Sequence, residues 1–513
     1  MVSICIFTQL LAHMKWHFTL VFFLFSWIIA ESQVFTPLKD QPPGLIHTAA
    51  DWVVDGNGRL NLITTGDLTT GSKTTVRTIY MKQTGTDRFS ISASGLPDIT
   101  LGAVNVADLN RNGRSDVVLM GQNASGRFVS GIYLAQADGS YRRAETSLDA
   151  LIDGSIDIAD FNRDGFPDIL ISGRDENARP VTKLYRNDNG RFSEVNTVLP
   201  GIMKGKAVFG DINKDGLPDI LLCGQSASGP LTRLYINNQG SYASMPNLFT
   251  ALRNSAAAIA DFDNDGWNDI IISGENRSGR PTLVIYKNLQ NNIFSEVNTA
   301  SIRPLMNCRI DVADFNADGL ADFVITGESL ERPYTLVYQN MGQFRFKDIM
   351  AGIPGVANGH ALWGDYDGDG DPDLYVSGID VCYNLIGQIY RNNTNPDVER
   401  DEPAGIFIES PIVDYSKGPY YYFLFSSCFC DPENTGTKQY HMFVSNIHRE
   451  ERDFDLNYKY NEILISRFPN WGPADRSHRT SNAFLTRSEA EEARNGIIES
   501  YTSDGYRIHY FNW

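Results

Sequence analysis

The chain has 513 residues, of which 42% are hydrophobic and 21% charged, and its 62 Asp and Glu outnumber 44 Lys and Arg to leave a formal net charge of −18. That balance excludes nucleic acid as a partner, because no basic patch is present and a phosphate backbone would be repelled. The six Cys show no recurrent spacing and form no disulfide framework.

Residues 14–33 read "MKWHFTLVFFLFSWIIAESQ", in which one Lys precedes an apolar run from Phe18 to Ala30 and small or polar residues follow. This pattern predicts a secretory signal peptide over residues 1–30, cleaved after Ala30 or Ser32. The apolar run is short for a membrane span. No later segment is long and apolar enough to cross, and Tyr420–Phe429 reads as a buried strand. A secreted, extracellular or cell-surface location is expected.

Beyond residues 14–33 the sequence repeats. Acidic loops open at Asp108, Asp160, Asp211, Asp261, Asp314 and Asp365, in steps of 52, 51, 50, 53 and 51 residues. Each has the form D-x-[DN]-x-[DN]-G-x-x-D, as in "DFDNDGWND" at Asp261 and "DYDGDGDPD" at Asp365. Crowded carboxylates repel one another unless a cation neutralises them. Alternating oxygen side chains with a Gly at the sharp turn suit Ca²⁺, which takes six to eight oxygens.

Short apolar runs flank each loop and read as strands. After the second strand a Gly recurs seven times (Gly66, Gly121, Gly173, Gly224, Gly274, Gly327, Gly378). A third strand is expected to end on Tyr80, Tyr133, Tyr185, Tyr235, Tyr286, Tyr338 or Tyr390. A fourth begins on Phe89, Tyr141, Phe192, Tyr242, Phe294 or Phe346. Seven four-stranded periods of this length predict a β-propeller, whose blades bury their faces by stacking radially.

The first period is degenerate. Aligned back from Gly66, its loop positions are Val53, Asp55, Asn57 and Asn61, with Asp51 able to substitute only if the loop carries an insertion. The last period lacks a fourth-strand aromatic after Tyr390. Phe35 lies 18 residues before Val53, close to the usual spacing, so Gln33–Leu38 is expected to close the ring as the outer strand of the last blade. The competing segment is Gly405–Ser410.

These loops, with their framing "VFGD", "LWGD" and "IADF", resemble the FG-GAP/VCBS repeats also found in the head of integrin alpha subunits. The resemblance covers residues 33–393 and implies an all-β, seven-bladed, calcium-binding propeller. It also implies ligands at loop positions one, three, five and nine through side chains, and at seven through a backbone carbonyl.

Residue by residue the implied ligands are as follows. The second period supplies Asp108, Asn110, Asn112, Arg114 and Asp116, and the third Asp160, Asn162, Asp164, Phe166 and Asp168. The fourth supplies Asp211, Asn213, Asp215, Leu217 and Asp219, and the fifth Asp261, Asp263, Asp265, Trp267 and Asp269. The sixth supplies Asp314, Asn316, Asp318, Leu320 and Asp322, and the seventh Asp365, Asp367, Asp369, Asp371 and Asp373.

The second loop has the fewest carboxylates and is expected to be the weakest site. Asp371, needed only for its carbonyl, is expected to expose its side chain. About six Ca²⁺ would take the formal charge from −18 to about −6, so ions rather than a partner account for much of the acidity.

Cys223 and Cys308 fall in apolar strands and read as small core residues. Asn123, Asn276 and Asn392 sit in N-x-S/T sequons and are glycosylation candidates. Residues 394–404 read as a linker. Residues 405–513 read as a small α+β domain, with a helix capped by Ser488 and Glu491.

No phosphate-binding loop and no G-x-S-x-G elbow is present, so the chain is not read as an enzyme. The leading functional reading is a calcium-binding module that recognises an extracellular protein or glycan. The alternatives are a polysaccharide-active lyase or hydrolase on the same scaffold, and a passive structural surface module.

Overall fold

A computed structural model describes residues 34–394 apart from 71–72, 147, 247–248 and 382–383. In the C-terminal part it describes 420–430, 439–450, 478–480, 487–488, 490–491, 494–495, 498, 502 and 507–511. The expected signal peptide, the linker and the competing segment Gly405–Ser410 lie outside the described residues.

Seven sheets of four antiparallel strands account for residues 35–392. The fifth is representative, with strands Arg253–Ala260, Asp269–Glu275, Pro281–Asn288 and Phe294–Val297. Its second strand is buried from Asp269 through Gly274. A strand covered on both faces by neighbouring blades has no reason to alternate, hence its continuous apolar run. The first strands of successive blades touch around the whole ring, including Ile46–Val54 against Ala357–Gly364.

The ring closes through the N-terminal strand Phe35–Pro37. It pairs antiparallel with Leu385–Asn392, in the register Phe35↔Asn392 and Pro37↔Tyr390. Phe35 is buried, with its ring centroid 6.0 Å from that of Phe315 and 5.8 Å from that of Trp363. The last sheet is therefore held by both ends of the propeller segment, which removes an exposed edge.

Each first strand begins with a β-bulge. The residue at its centre (His47, Leu101, Asp153, Lys204, Asn254, Asn307, Asn358) has φ between 47° and 54°. Gly follows it in four blades, and a Cβ on Gly154 would lie 1.7 Å from the Ser172 carbonyl oxygen. The bulge turns the strand away while the backbones stay in close approach.

The third strands run beyond the Tyr at which the sequence pattern placed their ends. In blades three to seven they continue through Asn187, Asn237, Asn288, Asn340 and Asn392. Each of these amides donates to two carbonyls, those of loop position two in the preceding blade and position eight in its own. The pairs are Leu109 and Pro167, Phe161 and Pro218, Ile212 and Asn268, Phe262 and Ala321, and Phe315 and Pro372, at 2.7–3.0 Å. Gln83 reaches Tyr366 O at 3.0 Å across the closing seam. Blade two has Ala135 at the equivalent position and no such amide.

A second set of latches lies on the innermost strands. Asp51, Asp157 and Asp311 accept the backbone N–H of Val106, Phe209 and Trp363 in the next blade, at 2.7–2.8 Å. Burial is the main force holding all three carboxyls above the usual carboxylate range.

In the C-terminal part, Leu424–Cys430 and Gln439–Ser445 form a sheet with His478–Thr480 and Arg507–Phe511, the last pairing parallel. Residues 487–488, 490–491, 494–495, 498 and 502 are helical. Arg494 donates to Ser445 O at 2.7 Å and lies over the Tyr510 ring. Among the described residues no helix is long and apolar enough to cross a membrane.

Removing one amide bridge would leave two buried carbonyls without donors. Asn340→Ala should cost about 2–3 kcal/mol, read as a lower urea midpoint with an unchanged slope. A loss below about 0.5 kcal/mol would make the bridge incidental.

Candidate metal-binding loops

Each of the six acidic loops joins the first strand of a blade to its second, so all six lie on one side of the disc. Position two is an apolar plug: Leu109, Phe161, Ile212, Phe262, Phe315 and Tyr366 are all buried. Position six is a Gly with φ of 77–92° in every loop, a conformation costly for other residues. The position-one Asp accepts the N–H of that Gly at 2.6–3.1 Å. The loop is thus wound around its own first carboxylate.

Position nine is the most buried of the expected ligands. Asp116, Asp168, Asp219, Asp269, Asp322 and Asp373 are fully buried. Each accepts two backbone N–H groups, one from loop position two and one from the end of the third strand, at 2.6–3.2 Å. One carboxylate therefore fixes both the loop and the third strand. Burial pushes these carboxyls up, to about 6 for Asp116 and Asp219, about 7 for Asp168, Asp269 and Asp322, and about 9 for Asp373. The two N–H donors oppose that rise, and neighbouring loop carboxylates add to it.

The remaining positions supply the acidic clusters. Carboxylate oxygens of Asp261, Asp263 and Asp265 lie within 4.8 Å of one another, as do those of Asp365, Asp367 and Asp369. Where position three is Asn and position five Asp, the amide nitrogen donates to the position-five carboxylate: Asn162 to Asp164, Asn213 to Asp215 and Asn316 to Asp318, at 2.9–3.0 Å. In the fifth loop position three is Asp263, and the Lys287 ammonium pairs with Asp263 and Asp265 instead. Three buried side-chain oxygens, Asn110 Oδ1, Asp211 Oδ1 and Asp263 Oδ1, have no donor. Buried acceptors aimed into an all-oxygen loop fit a hard cation such as Ca²⁺.

Neighbouring loops also touch. Arg163 at position four donates from Nε to Gly216 O at 2.8 Å and from Nη2 to Asp215 O in the next loop. Arg111 lies over the Phe166 ring and Lys214 over the Trp267 ring, at 5.5 and 5.1 Å. The half-buried aromatic residues at position seven thus serve as platforms for the preceding blade's cation.

Three expectations change, those for Asp371, Asn392 and Asp51. Asp371 is buried rather than exposed: its side chain turns inward and accepts a hydrogen bond from Thr394 Oγ1 at 3.2 Å. Asn392 is fully buried, and its amide nitrogen is committed to the bridge between blades six and seven, so the folded chain does not offer it for glycosylation. Asn123 and Asn276 lie on hairpins between second and third strands, where both shape turns. Asp51 pairs with Ile63 within its strand and bonds the next blade, so it does not enter the first loop.

That first loop is a tight turn, Asp55–Arg59. Asn61 takes the structural part of the position-nine Asp, accepting the Gln83 N–H at 2.9 Å. The third-strand amides are functional residues that the repeat pattern did not single out, although an Asn two residues after the Tyr recurs in five periods. Cys223 and Cys308 are both buried and unbridged, as expected of core residues.

A family model for FG-GAP-like repeats matches residues 160–222, 211–272, 261–325 and 314–376. Residues 160–376 carry FG-GAP-like repeats within a seven-bladed propeller that spans residues 34–394. Comparison with curated proteins finds no match. Among solved structures, the propeller is similar to the Aleuria aurantia lectin in complex with alpha-methyl-L-fucoside, at 11% identity and a TM-score of 0.36, covering 60% of this chain and 96% of that one. It is also similar to an endo-arabinase from Bacteroides thetaiotaomicron, at 12% identity and a TM-score of 0.31, covering 60% and 100%. A thermostable family-43 glycoside hydrolase matches at 9% identity and a TM-score of 0.29, covering 52% and 98%.

The raised carboxyls of the FG-GAP loops give a pH test. A carboxyl whose pKa is higher folded than unfolded holds its proton longer in the folded state. Stability therefore falls as pH rises from about 4, the unfolded value, through the folded values of about 6–9. The metal-free protein should melt lower at pH 8 than at pH 5, and millimolar calcium should flatten that fall by favouring the charged forms. A metal-free melting temperature that holds level or climbs would show that these carboxyls ionise without cost.

Proposed function

We propose that this propeller is a calcium-stiffened recognition module, secreted or held at the cell surface, that binds an extracellular protein or glycan. The observation that carries the calcium part is the set of buried, donorless oxygens Asn110 Oδ1, Asp211 Oδ1 and Asp263 Oδ1 inside acidic loops. Side chains at positions one, three, five and nine would hold the ions, with the position-seven carbonyls of Arg114, Phe166, Leu217, Trp267, Leu320 and Asp371. Asn162, Asn213 and Asn316 at position three would turn their amides to present Oδ1.

Bound calcium would neutralise each acidic cluster and lock the loop to its blade. The chemistry it supplies here is structural. An extracellular address suits modest sites that fill at millimolar calcium. The recognition part rests on the architecture: a closed disc presents hairpin loops from a rigid scaffold, and such loops are where binding residues concentrate.

The protein from Gln33 onward, applied to a panel of immobilised polysaccharides in millimolar calcium, tests this reading. Retention that EGTA abolishes, with no sugar released, is the expected result. Release of sugar would instead favour a polysaccharide-active enzyme. Neither retention nor release would remove glycans from the proposal and leave a protein ligand.

A further inference from the structure

We infer that Lys287 is a tethered counter-ion that competes with calcium for the fifth loop and makes it weaker than its four carboxylates would suggest. The inference rests on the calcium reading above.

The fifth loop is one of two in which positions one, three, five and nine are all Asp. Carboxylate count alone would rank it among the tightest sites. Yet the ammonium of Lys287, from the third strand of the same blade, lies between Asp263 Oδ2 and Asp265 Oδ2, 3.0 Å from the latter. It therefore holds two of the oxygens that calcium needs. Asp263 Oδ1 remains buried and donorless beside it, so the pairing satisfies only part of the cluster.

The comparison within the chain makes the competition specific. In the third, fourth and sixth loops, the donor to position five is the Asn at position three. Rotation of that amide exchanges its donor for an acceptor, so the same residue can serve both the metal-free and the loaded loop. A Lys has three donors and no acceptor. Lys287 can only leave. Its ammonium already sits 5.7 Å from the ring of Phe344 in the next blade, a surface that can receive it. Calcium entering this loop must expel the Lys287 charge from between its third and fifth positions.

The test is calorimetric titration of calcium into the metal-free protein. Lys287→Met keeps most of the stem and removes the charge. It should leave the total calcium per chain unchanged and tighten the binding of one calcium at least about tenfold, the loss of one charge-assisted bond. Lys287→Arg retains a cation and should follow the wild type. Superposable isotherms for wild type and Lys287→Met, or the loss of one calcium in the variant, would overturn the inference while leaving the calcium reading intact. A wild type that takes up no calcium would overturn both.

Acetylation of lysines in the wild-type protein, read by peptide mass spectrometry, tests the same displacement without a variant. Lys287 should label faster in calcium than in EGTA. Equal or slower labelling would contradict its release.

Discussion

The buried aspartate that ends each metal loop is the constraint on which the disc depends. Its two oxygens accept N–H groups from loop position two and from the end of the third strand, and no water reaches it to do the same work. The apolar residue at position two is pinned by that bond, and its carbonyl in turn receives the amide of the next blade. Loop, blade and blade interface are thus joined through a few atoms. The arrangement leaves an ionisable carboxyl in the core, which is why its proton affinity rises and why a nearby cation matters to the whole disc.

The blade interfaces repeat one solution with local substitutions. Five use an Asn amide and the closing seam uses Gln83. The interface between the first two blades has Ala135 there, and Asp51 with its bond to Val106 contributes nearby on the innermost strands. The first blade is also the one whose loop has shrunk to a tight turn. Its Asn61 keeps the structural half of the aspartate's task without the charge, so a blade can shed the metal loop and retain the fold.

Much of this was legible in the sequence because the repeat keeps a period of 50–53 residues between loops and recurring punctuating residues. The recurring Gly lies within the second strand, the Tyr within the third, and the aromatic at or next to the start of the fourth, each shifted by a few residues at most from where the pattern placed it. Phe35 disclosed the closing strand because its spacing matched that of the other fourth-strand aromatics. The bridging amides were hidden because Asn near a strand end reads equally well as a turn former, and one of its two partners lies 77 residues away in the preceding blade. The same ambiguity made Asn392 look like a surface sequon. Asp371 misled because position seven needs only its backbone carbonyl, and only the packing against Thr394 shows where its side chain turns. Lys287 carried no signal at all, since its pairing depends on the third strand folding back beside the loop.

The central claim is that divalent cations complete these loops and stabilise the disc. Bound calcium and the melting temperature, measured on the same protein before and after EGTA, test it most directly. The account predicts about six calcium ions per chain and a fall of more than about 10 °C on their removal, given the loss of several ligand-linked contributions at once. A protein that carries no calcium from millimolar solution and melts at the same temperature with or without EGTA would contradict it.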